Sequence, residues 1–211
     1  MSKIKYTIQQ KELLDHVAEK VKKLFKENSV PAHGVDHILR VLDWTKEIIK
    51  GEKVVNPMLC ELSALTHDIG RTRENNPGEN SRKHHELSYL MLQEWFENDK
   101  KFDILLKKEK LELLYAVRYH WNNAALKYDT AWILRDADKM DGYGKVGLKR
   151  AWEFFKGDDE GWNQHFRNLY DSLYHVRTKT AKNIIKKNHL IEEVDLVHKK
   201  YLESKIEKVK L

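Results

Sequence analysis

The stretch HGVDHILRVLDWTKEIIKG, residues 33–51, decides how the chain is read. Ile38, Val41, Leu42, Ile48 and Ile49 fall on one face of a helix that runs from about Gly34 to Lys50 and stops at Gly51. His33 and His37 are four residues apart and Arg40 lies three further on, so on a continuous helix they share a face, opposite much of the apolar stripe. A helix N-terminus disfavours a cation and favours an anion, which suits His33 to capping or to touching an anionic substrate. His37 sits deeper in the helix and is the better metal ligand.

The same periodicity extends in both directions. Leu14, Val17, Val21 and Leu24 predict a helix over residues 8–27. Asn56 followed by Pro57 reads as an N-cap and first helical position, opening a helix that carries Leu59, Leu62 and Leu65 and ends near Gly70. Residues 71–80, RTRENNPGEN, form a polar loop, and Ser81 is expected to cap the helix of Leu87, Leu90, Met91, Trp95 and Phe96. Residues 102–121 read as mostly helical with a break near Lys107–Lys110, and a further helix spans about Asp129 to Asp141. Gly142, Gly144 and Gly147 then punctuate the chain before amphipathic pieces at 148–156, 160–187 and 190–210. With only 9 Gly and 3 Pro, tight turns are too few for a sandwich or barrel. The expectation is an all-α helical bundle: an N-terminal helix in 1–29 packed on a core of 30–155, and a helical C-terminal portion, 156–211, of the same domain.

A chain of 211 residues buries roughly 70% of its unfolded surface, and 41% hydrophobic with 10% aromatic residues excludes a wholly disordered chain. Cys60 is the single cysteine and sits in an apolar helical pattern, so it reads as a small core residue in a reduced, cytoplasmic setting. The N-terminus has no run like a signal peptide, and no stretch approaches the ~18 apolar residues that span a bilayer. A formal charge of +6 favours anionic ligands, but the excess lies in Lys-rich stretches (179–187 and 199–210) that read as solvated helix faces. No nucleic-acid motif accompanies them, so no specific nucleic-acid partner is expected.

Two further segments carry chemistry. In LTHDIG, residues 65–70, adjacent His67 and Asp68 point about 100° apart on a helix and reach one ligand only where the helix ends, an ending Gly70 provides. Imidazole and carboxylate suit borderline-to-hard divalent metals. In ILRDADKMD, residues 133–141, Asp138 and Asp141 can share a face while Asp136 cannot join them. Carboxylates in so apolar a stretch need partners, and a metal is one.

Taken in order, HGVDHILRV, LTHDIGR, HHELS and ILRDADKMDGYGKVG resemble the HD-domain superfamily of metal-dependent phosphohydrolases, over about residues 30–155. The last string is similar to the one supplying the final aspartate in a bacterial subgroup that contains nucleotide pyrophosphohydrolases. The resemblance implies a helical bundle with the metal held by His37, His67, Asp68 and Asp138. His85 and His120 match positions that hold a second ion, bridged by Asp68, or line the pocket and contact phosphate; His84 reads as a solvated neighbour. Asp68 is the expected proton acceptor for the attacking water. Arg40, Arg71 and Lys139 are the expected phosphate contacts, with Arg40 alternatively an ion-pair partner of Asp138. One or two ions of Mn²⁺, Mg²⁺, Fe²⁺, Ni²⁺ or Co²⁺ suit such ligands. The implied partner is a small phosphorylated substrate such as a nucleotide. One departure stands out: where many nucleotide hydrolases of the superfamily carry an acidic pair, this chain has Gly70–Arg71–Thr72–Arg73–Glu74, with Arg71 and Arg73 as alternative phosphate holders. The competing readings are an HD-type di-iron oxygenase and a metal-binding regulatory module without catalysis.

Overall fold

A computed structural model describes residues 4–28, 30, 34–74 and 82–209, the last four by backbone alone. Those residues form ten α-helices and two short 3-10 segments, with no strand among them. No described helix is long and apolar enough to cross a membrane.

The helix α3, Pro57–Thr66, lies at the centre, and every residue from Met58 to Thr66 is buried. A helix apolar on nearly all sides must be surrounded, and α1 (Ile8–Glu27), α2 (Val35–Gly51), α5 (Lys107–Tyr119) and α6 (Asp129–Gly142) pack around it. Local chemistry starts these helices where the sequence indicates. Thr7 and Gln10 form a reciprocal capping box on α1. Asn56 accepts from the Leu59 amide with Pro57 in the first turn of α3. The face of α2 bearing Ile38, Val41, Leu42, Ile48 and Ile49 is buried as read.

Three boundaries differ from expectation. The third helix stops at Thr66, and a 3-10 turn, Ile69–Thr72, follows it. Lys107–Lys110 begins α5 instead of interrupting a helix, because Leu106 is extended and Glu109 reaches back to its amide. Helix α4, His84–Asn98, has Lys83 at its N-cap, while Ser81 lies outside the described residues.

Beyond α6, Gly144 takes a left-handed φ of 72°, which turns the chain into α7, Gly144–Phe154. Helices α8 (Asp159–Tyr174), α9 (Lys179–Lys187) and α10 (Leu190–Val209) complete the chain. The span 160–187 is broken at the α8–α9 connection. Asp136 anchors this connection: its carboxylate accepts from the Arg177 amide at 3.0 Å and the Thr178 amide at 2.7 Å. This acidic residue of the DADKMD string therefore ties α6 to the start of α9 and faces away from the other two.

Candidate metal centre

Helix α3 delivers His67 to the interior as its C-cap residue, fully buried. The His67 Nδ1–H donates to the Ala64 carbonyl at 2.8 Å, one of the carbonyls that a helix end leaves without an intrahelical partner. This fixes the tautomer and turns Nε2, with its lone pair, outward from the helix. His120 repeats the arrangement at the end of α5, with Nδ1 2.7 Å from the Val117 carbonyl. Two helix C-termini, the negative ends of their dipoles, thus present imidazole nitrogens to one region, which favours a cation there.

His37 comes from the first turn of α2, and α6 lies along that helix with Asp138 and Asp141. His37 Nδ1 is 2.7 Å from Asp141 Oδ2, while Nε2 is 3.3 Å from His67 Nε2 and 3.3 Å from Asp138 Oδ1. Asp138 Oδ1 is 3.8 Å from His67 Nε2. Donors about 2.1 Å from a common ion stand roughly 3–3.5 Å apart, so His37, His67 and Asp138 form a set that can hold one.

Asp68 follows His67 at the start of the 3-10 turn and belongs to a second set with His84 and His120. Its two oxygens face different ways. Oδ2 lies 3.8 Å from His37 Nε2 and 3.9 Å from His67 Nε2, whereas Oδ1 lies 3.5 Å from His84 Nε2 and 3.7 Å from His120 Nε2. Oδ1 is buried without a hydrogen-bond partner among the described residues. A buried carboxylate oxygen so placed is costly unless something positive engages it, which fits a divalent ion.

His84 corrects the sequence reading, which gave this place to His85. Gly70 explains the exchange. A Cβ there would lie 2.2 Å from the His84 carbonyl oxygen and 2.4 Å from the Ser88 nitrogen, so glycine alone lets α4 settle onto the 3-10 turn. The Gly70 amide donates to Ser88 Oγ at 2.8 Å. This docking puts the first helical residue, His84, over Asp68. His85, about 100° further round, turns to Trp121, with ring centres 5.2 Å apart. The HHELS string identifies the helix but not which histidine faces inward.

Electrostatics suit metal ligation. Burial opposes charge on Asp68, yet His67, Arg71, His84 and His120 outweigh it and hold its carboxyl well below the usual range. Asp138 is likewise held low, against burial, by the His37 hydrogen bond and the nearby histidines. Burial lowers His67, and pushes His84 down to about 4, so both rings are neutral at neutral pH, with His84 Nε2 3.4 Å from Arg71 Nη2. For His37, burial is outweighed by hydrogen bonds to Asp138 and Asp141, which push it up to about 9.

Asp141 organises a further layer. It accepts from Arg40 Nε at 2.6 Å, from Arg40 Nη2 at 3.1 Å and from Arg150 Nη1 at 2.5 Å. Arg40 therefore pairs with Asp141 and not with Asp138. Arg150 Nη1 also lies 2.8 Å from His37 Nδ1; two N–H donors meet there over one carboxylate oxygen. Neither Asp141 as a partner of His37 nor Arg150 is singled out by the sequence reading, and Arg150 in particular has no local signal. Arg71 donates to Asp68 Oδ2 at 3.0 Å and to Glu74 at 3.2 Å, and its side chain is 23% exposed at the rim. Arg73 is occupied by a two-pronged pair with Glu94 of α4, away from the donors. Lys139 bonds Asn123, and burial pushes its amine down to about 8. His33 lies outside the described residues. The site opens beside Asp138, Arg71 and His84, whose side chains are 31%, 23% and 17% exposed. A cavity of about 760 Å³ between Tyr6, Arg40, Trp44 and Ile49 touches none of the six donors.

The family model for the HD domain matches residues 34–143, which contain all six donors. No curated protein matches the chain. Solved structures match over nearly the whole length. An HD-superfamily hydrolase from Bacillus thuringiensis is 16% identical, covering 92% of this chain and 97% of that one, with a TM-score of 0.68. YpgQ from Bacillus subtilis, in complex with ADP, is 20% identical over 94% and 97% at 0.66. A predicted HD-superfamily hydrolase from an uncultured Thermotogales bacterium is 23% identical over 90% and 91% at 0.64. Identities this low establish a shared fold.

Proposed function

The chain belongs to the HD-domain family, and from that premise we propose that it is a metal-dependent phosphohydrolase, cleaving a phosphate ester or anhydride of a nucleotide. The observation that carries this reading is Asp68: one buried carboxylate with an oxygen toward each of two histidine groups and with Oδ1 unpartnered. His37, His67 and Asp138 would hold one divalent ion, His84 and His120 a second, with Asp68 between them. Ions so held would supply Lewis-acid polarisation of a phosphoryl oxygen and would acidify bound water.

The chain's own residues do the rest. Asp141 and the Ala64 and Val117 carbonyls fix the tautomers of His37, His67 and His120, so three donor nitrogens are aimed before substrate arrives. Asp68, held low by its neighbours, is a weak base; it serves better as the carboxylate shared by the two groups than as the proton acceptor for the attacking water. Arg71 at the rim can exchange part of its pairing with Asp68 and Glu74 for a phosphate oxygen, matching the charge that develops there. The ADP held by a relative of the same fold supports a nucleotide as the phosphate carrier.

A di-iron oxygenase is the second reading, favoured by the same bridging position of Asp68. Both are tested by assaying nucleoside mono-, di- and triphosphates with Mn²⁺ or Fe²⁺, with and without oxygen. Release of phosphate or pyrophosphate without oxygen supports the hydrolase. Metal-loaded protein that releases neither sinks it, and turnover confined to iron and oxygen selects the second reading.

A further inference from the structure

Trp121 directly follows His120 and leaves 57% of its surface exposed. A lone exposed aromatic is ordinary, but this one is held still at the edge of the donor groups. Its ring rests on His85, with centres 5.2 Å apart and planes inclined by 37°. His85 in turn stands 5.3 Å from His84 and 6.4 Å from His120, both members of the second donor group.

The loop carrying Trp121 is fastened from beneath by α6. Buried Arg135 donates from Nη1 to the Asn122 carbonyl at 2.5 Å and to the Ala125 carbonyl at 3.2 Å. Lys139 bonds the Asn123 side chain. A charged side chain buried to hold two loop carbonyls fixes the path of the backbone next to Trp121. The indole therefore presents a face that loses little freedom when a ligand covers it.

We propose that Trp121, backed by His85, is a stacking platform for an aromatic group of the substrate, the base of a nucleotide, while the phosphates face the histidine and aspartate donors. The inference rests on the phosphohydrolase reading for the identity of the ligand. Stacking uses the π-face that every base has. The platform would therefore tolerate different bases but discriminate against phosphate compounds that have none.

The test compares binding of ADP and inorganic pyrophosphate, each as the analogue with a non-hydrolysable methylene bridge between its phosphorus atoms, by isothermal titration calorimetry, using metal-loaded protein with Mn²⁺ in cell and syringe. The proteins are wild type, Trp121→Leu, which keeps apolar bulk over His85, and Trp121→Phe, which keeps an aromatic face. Wild type is expected to bind ADP more tightly than pyrophosphate. Trp121→Leu should lose about 10-fold or more in ADP affinity with pyrophosphate unchanged, and Trp121→Phe should recover most of it. The proposal is overturned if wild type binds ADP no better than pyrophosphate, or if Trp121→Leu weakens both alike or neither. Turnover enters none of these readings: a protein that binds ADP through Trp121 yet releases no phosphate sinks the hydrolase and leaves the platform.

Discussion

Asp141 Oδ2 lies 2.7 Å from Nδ1 of His37, the ring nitrogen turned away from the donor cluster. One carboxylate thereby sets the tautomer and orientation of His37, the proposed ligand from α2, while Arg40 and Arg150 hold that carboxylate in place. Asp141→Asn should weaken binding of the first ion by about 10- to 100-fold, the usual effect of losing a ligand's supporting hydrogen bond. Chelator competition measures it. Unchanged affinity would make Asp141 a mere partner for the two arginines.

The raised position of His37 gives a pH signature. Its proton is favoured by folding, so in metal-free protein the associated stability is full below the unfolded value near 6.5 and is lost as pH rises through about 9. A metal ion replaces that proton. Thermal unfolding followed from pH 6 to 10 should show the chelator-treated protein losing stability across this window, while metal-loaded protein holds steadier. Parallel curves would contradict the assignment.

Gly70→Ala tests how α4 is seated. A methyl group there meets the backbone of His84 and Ser88 within 2.4 Å, so the helix must shift, at a cost of about 1–3 kcal/mol. The expected result is loss of the ion at Asp68, His84 and His120, with the one at His37, His67 and Asp138 retained. Elemental analysis reads the stoichiometry, and full two-ion loading in this variant would remove His84 from the site.

Asp136→Ala should separate structure from chemistry. It leaves the amides of Arg177 and Thr178 without their acceptor, a loss of about 1–3 kcal/mol seen in urea unfolding. Metal content should not change, because this carboxylate faces α9. A variant of normal stability that fails to bind metal would reverse the assignment.

Much of this was legible in the residues because periodicity and capping are local. The α2 stripe, the Asn56–Pro57 start and the pairing of Asp138 with Asp141 on one face all follow from helix geometry. What was not legible depends on packing between distant segments. The choice of His84 over His85 is made by Gly70 and Ser88, 18 residues apart in sequence. Arg150 reaches Asp141 only because the turn at Gly144 folds α7 back beside α6.

The most direct test is phosphate or pyrophosphate release from nucleotides by wild type and His67→Ala across a Mn²⁺ titration. His67 is fully buried, donates to Ala64 and aims its other nitrogen at His37, so it has no other evident work. The account expects metal-dependent turnover in wild type and a fall of about 100-fold or more in the variant, with the fold retained by circular dichroism. Equal turnover in the two proteins, or wild-type turnover indifferent to metal, would contradict it.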